Sequence, residues 1–263
     1  GNKSTKQQRY ENASKTGVFA MEDKTLTSFP SDALKIPSLR ILHIENCGLS
    51  KLPPDISKAG ATLQRLELSR NKLSRLPDVA AALQNLQKLD VSMNVLEELP
   101  EPLFAAMAKL KEASLANNRL TTVPSSIAGA ASLKVLDLSH NRLRALPDGV
   151  GALASLEDLH LSFNSLPALP AAMAALPRIK RINLESNAVQ RGGIPAGLLR
   201  DTPLESIKLQ GNPMSSVEGE EGAEEYAARS QKHALKNIDT KVKTGDLSAG
   251  LGTAEQYANL RKS

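Results

Sequence analysis

The chain has 263 residues, with 33 Lys and Arg against 28 Asp and Glu, a formal net charge of +5, a single cysteine and 3% aromatic residues. Charges of both signs are interspersed, which excludes the concentrated basic face of a nucleic-acid binder. One cysteine excludes a disulfide framework and points to a reducing compartment, and no apolar run reaches membrane-spanning length or forms a signal-peptide core.

The chain opens with GNKSTK. Gly1, followed by small Asn2, the hydroxyl of Thr5 and then Lys6, fits the acceptor pattern for N-myristoylation; the alternative is a glycine left by a cleaved tag. Lys3, Lys6, Arg9 and Lys15, set against Glu11, form a membrane-proximal basic segment, each well-placed charge adding about 1 kcal/mol at an anionic surface. A single acyl chain binds a membrane only marginally, and no cysteine lies nearby to carry a second, so weak and switchable attachment is expected. Residues from Thr5 to Lys15 are predicted to form a short helix ended by Gly17, with Tyr10 and Ala13 turned inward.

From Leu39 to Met214 one line of text recurs, clearest in LQRLELSRNKLSRLP from Leu63 to Pro77. Its copies centre on Lys24, Cys47, Asn71, Asn94, Asn118, Asn141, Asn164, Asn187 and Asn212, with successive differences of 23 to 25 residues. The last two apolar residues of LxxLxL sit two apart, as a strand with one buried face requires. The Asn that follows offers two donors and an acceptor, so stacked amides can satisfy the backbone of each turn, with Cys47 substituting in one copy. Pro30, Pro53, Pro77, Pro100, Pro124, Pro147, Pro170 and Pro195 then fix φ and remove a donor where the chain leaves the sheet. Beyond each proline, apolar residues such as Val79, Leu83 and Leu86, or Val150, Leu153 and Leu156, are expected to fill the convex side. The first copy, with Phe19, Met21, Leu26 and Phe29-Pro30, keeps this frame but lacks the Asn, as terminal units do. One unit does not bury enough to offset the entropy of fixing its own backbone, so the units must stack and share interfaces.

This pattern resembles the leucine-rich repeat superfamily, in the cytosolic subtype whose conserved segment closes on Leu-Pro. The resemblance implies an α/β fold: a horseshoe solenoid with a parallel sheet on its concave face, short helical or irregular segments on its convex face and helical caps at both ends. The opening GN, KTGVF before the first strand, LTSFP closing the first copy, the two extra residues before Ile194-Pro195 and the acidic segment with Tyr226 are similar to the N-myristoylated leucine-rich repeat-containing protein 57 group. That narrower resemblance implies a lipid-anchored cytosolic protein with no assigned catalytic activity.

Between Gly192 and Ile194 the register slips, and the last copy, Leu204, Ile207, Leu209 and Asn212-Pro213, gives way to VEGEEGAEEY. Glu218, Glu220, Glu221, Glu224 and Glu225 crowd the expected first turn of a helix, where carboxylates favour the positive end of its dipole. Ala223, Tyr226, Ala227, Ala234 and Ile238 are expected to face the solenoid and seal it. The polar text beyond Thr240 is expected to be mobile. The predicted organisation is an acylation segment and cap over 1–17, about nine repeats over 18–216, a capping helix over 217–239 and a tail over 240–263.

Two columns of residues face outward from the strands. One runs through Ala20, His43, Glu67, Asp90, Ser114, Asp137, His160, Asn183 and Lys208, the other through Asp23, Asn46, Arg70, Met93, Asn117, His140, Phe163, Ser186 and Gly211. At about 4.8 Å per strand they make a face roughly 40 Å long that suits an extended partner. Asp137, Ser139 and His160 invite a triad reading, but an open sheet supplies no oxyanion hole, buried orienting acid or cleft. Asp137, His140 and His160 as a metal site lack orienting partners, and no phosphate loop or zinc motif occurs, so no enzyme, cofactor or metal is expected. His43 and His233 are expected to be solvent-facing. The expected protein-binding residues are Glu67, Asp90, Met93, Asp137, His140, His160 and Phe163: apolar anchors among charges that set specificity. The expected function is therefore a non-catalytic adaptor, cytoplasmic and held peripherally at a membrane by the lipid on Gly1. The alternatives are a structural subunit of a large cytoplasmic assembly or a regulatory subunit of a signalling enzyme, with neither nucleic acid nor small-molecule substrate as partner.

Overall fold

The structure, a computed structural model, describes residues 5–244, with the side chains of Thr5, Lys6, Ala80, Ala81 and 237–244 outside that description. Gly1 and Lys3, the side chain of Lys6 and the segment 245–263 therefore lie outside the described residues.

Nine strands follow one another through the chain: β1 Val18–Glu22, β2 Ile41–Glu45, β3 Arg65–Glu67, β4 Lys88–Asp90, β5 Glu112–Ser114, β6 Val135–Asp137, β7 Asp158–His160, β8 Arg181–Asn183 and β9 Ser206–Lys208. They pair in sequence order as one open parallel sheet. Each repeat advances the chain by one strand, so Leu66 pairs with Leu89, Leu136 with Leu159 and Ile182 with Ile207. The strands are short because only one or two residues per copy alternate before the turn claims the chain. The inward residue of each strand from β2 to β8, from Leu42 and Leu66 to Leu159 and Ile182, is at most 2% exposed, and Ile207 on the last strand is partly buried.

The return on the convex side is mostly a single 3-10 turn that starts after the proline, as at Ser125–Gly129 after Pro124 and Asp148–Ala152 after Pro147. A repeat of this length leaves room for little more, and a 3-10 turn is the tighter way to reverse the chain. Neighbouring turns pack so closely that a Cβ at Gly151 would collide with the carbonyl of Ala172. The third residue after the proline is buried at Ile56, Leu103, Ile127, Val150 and Met173. Val79 is the second residue after Pro77 and is 38% exposed, so it does not fill the convex side as expected; Leu83 and Leu86 do. Where two residues are inserted before Ile194, the turn grows into a true helix, α2 Ala196–Asp201.

The asparagine amides form a continuous ladder. Asn71 Oδ1 accepts the N–H groups of Cys47 and Leu49 at 3.1 and 3.0 Å, and its Nδ2 donates to the carbonyls of Ile44 and Leu68 at 2.7 and 3.0 Å. Asn118 bridges Leu96 N–H and the carbonyls of Val91 and Leu115 in the same way. The pattern continues to Asn212, which takes Val189 N–H at 2.9 Å. Each amide thus ties its own turn to the preceding coil, answering backbone groups that no strand pairs. At Cys47 the rung is weaker: its thiol lies 3.1 Å from Glu45 O of its own turn and 3.7 Å from Met21 O of the preceding coil, and Leu26 N–H falls back on the carbonyl of Cys47 at 3.0 Å.

Both ends of the stack are covered. Helix α1, Thr5–Thr16, lays fully buried Ala13 and the ring of Tyr10, 5.2 Å from that of Phe19, over the first coil. Gly17, at φ +72°, returns its N–H to Ala13 O and turns the chain into β1. Helix α3, Ala223–Thr244, closes the other end and runs five residues beyond the expected limit at residue 239. Its contact face is also not the expected alanine stripe, since Ala227 and Ala234 are exposed and the side chain of Ile238 lies outside the described residues. Tyr226 Oη instead accepts Ile207 N–H at 3.1 Å, and Arg229 donates to the carbonyls of Leu199, Arg200 and Leu204. His233, expected at the surface, stands 3.2 Å from Glu205. The physical reason is that the last coil exposes unpaired backbone N–H and C=O groups, and a polar face answers them where alanines cannot. Of the acidic run, only Glu224 and Glu225 occupy the first turn of α3; Glu220 accepts Gly192 N–H and Glu221 pairs with Arg200 in the preceding loop.

Candidate functional site on the concave face

At the end of every strand but the last, the chain turns through a non-glycine residue at positive φ: Asp23, Asn46, Arg70, Met93, Asn117, His140, Phe163 and Ser186, all between 49° and 56°. Gly211 completes the row at φ +76°. The left-handed region costs an ordinary L-residue roughly 1–2 kcal/mol, and Gly, Asn and Asp bear it most cheaply. Met93, His140 and Phe163 are therefore expensive choices, and the row holds their side chains outward along one rim of the sheet. Met93 is 46% and Phe163 50% exposed.

The rim is not uniform. His140 and Phe163, on adjacent coils, stack with ring centroids 4.2 Å apart and planes at 12°. Met93 is separated from them by Asn117 and stands two coils away, so it does not belong to the same patch. Beyond Phe163 the row continues with Ser186 and Gly211, too short to cover its outer face.

Charge divides the face in the same place. On β1 to β4 the ionic groups largely neutralise one another, Asp90 being the strand carboxylate there with no cation among the described residues. His43 places Nδ1 3.0 Å from Glu67 Oε2 and Nε2 3.0 Å from Glu22 Oε1, while Arg65 and Lys88 approach Glu67 Oε1 at 2.6 and 3.3 Å. Burial is the largest influence on Glu67 and pushes its carboxyl up, but the bonds from Arg65, His43 and Lys88 together outweigh it and hold the carboxyl below its ordinary value. Arg70 reaches Glu45 at 3.5 Å. His43 and Glu67 are thus corrected: the imidazole is not solvent-facing, with 19% of its side chain exposed, and Glu67, with 13%, is not a free charge for a partner.

On β6 to β8 Arg181 is spent on Asp158 and is pushed to a higher pKa by it. Asp137 and Glu185 have no cationic partner among the described residues. Asp137 Oδ1 accepts the N–H and the hydroxyl of Ser139 at 2.9 and 2.6 Å, as Asp90 does from Ser92 at 3.0 and 2.7 Å. This directs the Ser139 proton to a carboxylate rather than to His160, which is the wrong polarity for a triad. His160 pairs with Asp137 in register but lies on the strand, whereas His140 is turned onto Phe163, so Asp137, His140 and His160 do not converge. Among the described residues no group of three potential ligands is placed to hold a metal ion. Arg9 and Lys15 lie on α1 beside the first coil.

The structure stacks His140 on Phe163 and sets Asp137 beside His160 on neighbouring strands, while Glu67, Asp90 and Met93 lie on earlier coils. Sequence reasoning missed Glu185, which lies on a third outward column with Glu22 and Glu45, and it missed the positive φ of the rim. The signal for the latter was present: Asp23, Asn46, Asn117 and Gly211 are the residue types that tolerate that conformation.

Three overlapping stretches, residues 37–96, 84–143 and 131–189, match the leucine rich repeat family and together span more than half of the chain. The chain belongs to the leucine-rich repeat family. Similar solved structures carry the same repeat. The leucine-rich repeat ectodomain of the plant receptor kinase GASSHO1/SCHENGEN3 from Arabidopsis thaliana, in complex with CASPARIAN STRIP INTEGRITY FACTOR 2, superposes with a TM-score of 0.59 at 23% identity, over 72% of this chain and 26% of that one. The plant peptide hormone receptor RGFR1 in complex with RGF2 gives 0.57 at 27% identity, over 70% of this chain and 34% of that one, and a TDR receptor gives 0.58 at 25% over 70% and 37%. This leucine-rich repeat array thus spans less than two fifths of the length of each of these chains. Among the described residues no helix is long and apolar enough to cross a membrane.

Proposed function

We propose that this leucine-rich repeat protein is a non-catalytic adaptor that docks an extended segment of a partner protein on the concave face, centred on His140 and Phe163. The observation that carries the reading is the exposed, stacked pair itself. Two bulky rings are kept at left-handed positions where Asn or Gly costs less, and they stand beside carboxylates with no cation assigned to them. A similar array, that of the plant peptide hormone receptor RGFR1, is solved in complex with RGF2, which agrees with a peptide-like occupant. The test is a comparative pull-down from cells with wild-type protein and the His140→Ala, Phe163→Ala double variant, with thermal unfolding measured on both. Loss of a defined set of partners at unchanged melting is expected; recovery of the full set by the variant overturns the site.

The second element of the proposal is membrane attachment through a myristoyl group on Gly1, assisted by Lys3, Lys6, Arg9 and Lys15, as the narrower resemblance implies. Mass spectrometry of the N-terminal peptide from the native source reads it directly. A free or differently processed terminus removes the anchor while leaving the docking face untouched.

A further inference from the structure

Resting on the docking reading above, we infer that the segment seated at this site is basic and presents an arginine, whose guanidinium lies on the outer face of Phe163 and pairs with Glu185. His140 covers one face of the Phe163 ring at 4.2 Å, and the opposite face looks along the rim toward Ser186 and Gly211, which leave a shelf one side chain deep. A planar cation is the group that gains most from a bare aromatic face, because the ring quadrupole attracts charge and the flat guanidinium stacks where a hydrated ammonium does not.

Glu185 borders the same shelf. Its carbonyl accepts Phe163 N–H at 2.8 Å and its N–H donates to Asn183 Oδ1 at 3.0 Å, so its backbone is tied directly to that of Phe163 on the neighbouring coil. The residue is partly exposed, and its carboxylate has no ion-pair partner among the described residues. Lys208 on β9 makes no ion pair with it, and Arg181 is taken by Asp158. Two coils back, Asp137 adds a second uncompensated carboxylate at the middle of the sheet. Carboxylates without a cation of their own leave a negative field on this half of the face, which a partner's arginine complements and an acidic or neutral segment does not. Spacing favours a polyproline II-like extended chain: the coils of Asp137 and Glu185 are two apart, about 10 Å at 4.8 Å per strand, which is close to the roughly 9 Å between residues three apart on such a helix, where they share one face.

The experiment selects binders to the purified full chain from a phage-displayed library of random linear peptides. It then measures a selected peptide, and its copy with citrulline in place of arginine, by fluorescence anisotropy against wild type, Glu185→Gln and Phe163→Ala. Selected peptides rich in arginine are expected, with citrulline, Glu185→Gln and Phe163→Ala each weakening binding about five- to tenfold. Peptides that lose affinity with Phe163→Ala but are neutral or acidic, or that bind as well with citrulline, overturn the basic assignment and leave the docking site standing. Peptides indifferent to Phe163→Ala and to His140→Ala overturn both. Glu185→Gln preserves shape and removes only charge, so it reads the inference even where the aromatic variant perturbs the rim.

Discussion

The two halves of the concave face are built on the same strands and the same amide ladder, yet they spend their charges differently. From β1 to β4 the outward strand carboxylates other than Asp90 have a cationic or imidazole partner: Glu67 holds Arg65, Lys88 and His43, and Glu45 holds Arg70. From β6 to β8 the cations run short, Asp137 and Glu185 stand without partners among the described residues, and the rim carries the His140–Phe163 stack instead of Asn46 and Arg70. A surface that satisfies itself has little to offer another molecule. The half that leaves carboxylates and rings unmatched, although the scaffold does not require it, is where recognition is concentrated.

If the halves differ only at the surface, the frame beneath must be equally strong in both. Asn71→Ala in the first half and Asn164→Ala in the second each remove an amide that satisfies several backbone groups of two coils. Each is expected to cost about 3 kcal/mol, measured by urea unfolding, since stranded polar groups in a dry interior each cost about 1–3 kcal/mol. A marked inequality would show that the comparison reaches below the surface.

The next effect belongs to the first half alone. Because Glu67 is held below its ordinary pKa in the folded chain, its contribution is fully present above the unfolded value near 4.5 and is lost as pH falls through the folded one. Glu67→Gln is expected to lower stability at pH 7 by roughly 1 kcal/mol and to flatten part of the acid loss below about pH 4.5, seen in melting curves taken across that range. Glu185→Gln, with no ion pair to break, is expected to leave the same curves unchanged. Equal pH responses from the two variants would erase the distinction between the halves.

Most of the frame was legible in the sequence because the repeat states it again and again: strand period, amide slot and proline stop recur at nearly fixed offsets, and burial follows. What was not legible depends on geometry that one line of text does not carry. Val79 shares the apolar character of Val150 but sits one residue nearer its proline, and on a tight turn that single step moves it from inside to outside. His43 alternates as an exposed residue should, and only the neighbouring strands reveal Glu22 and Glu67, which with Glu45 of its own strand enclose it. Tyr226 could be placed in the cap by its amphipathic position, whereas the need for Arg229 arises from carbonyls that the last coil leaves open. At the candidate site, the column containing His140 and Phe163 could be read directly. Their stacking, and the absence of an ion pair at Glu185 among the described residues, required the coils to be set side by side.

The smallest expected effect has the opposite sign and separates function from folding most cleanly. Phe163 sits at φ +56°, a conformation that asparagine adopts far more readily, and the ring is half exposed, so little burial is lost on removing it. Relief of the left-handed strain outweighs the loss of the stack with His140, and Phe163→Asn is expected to raise stability by about 0.5 kcal/mol while weakening partner binding. Arg70 in the first half holds the same conformation but also reaches Glu45 at 3.5 Å, so Arg70→Asn gains on strain what it loses in the ion pair and should leave stability within about 0.5 kcal/mol of wild type. Side-by-side urea titrations decide the matter. A Phe163→Asn chain that is less stable than wild type would mean that the ring is held in place for the fold, and the case for a recognition surface in the second half would lose its physical basis.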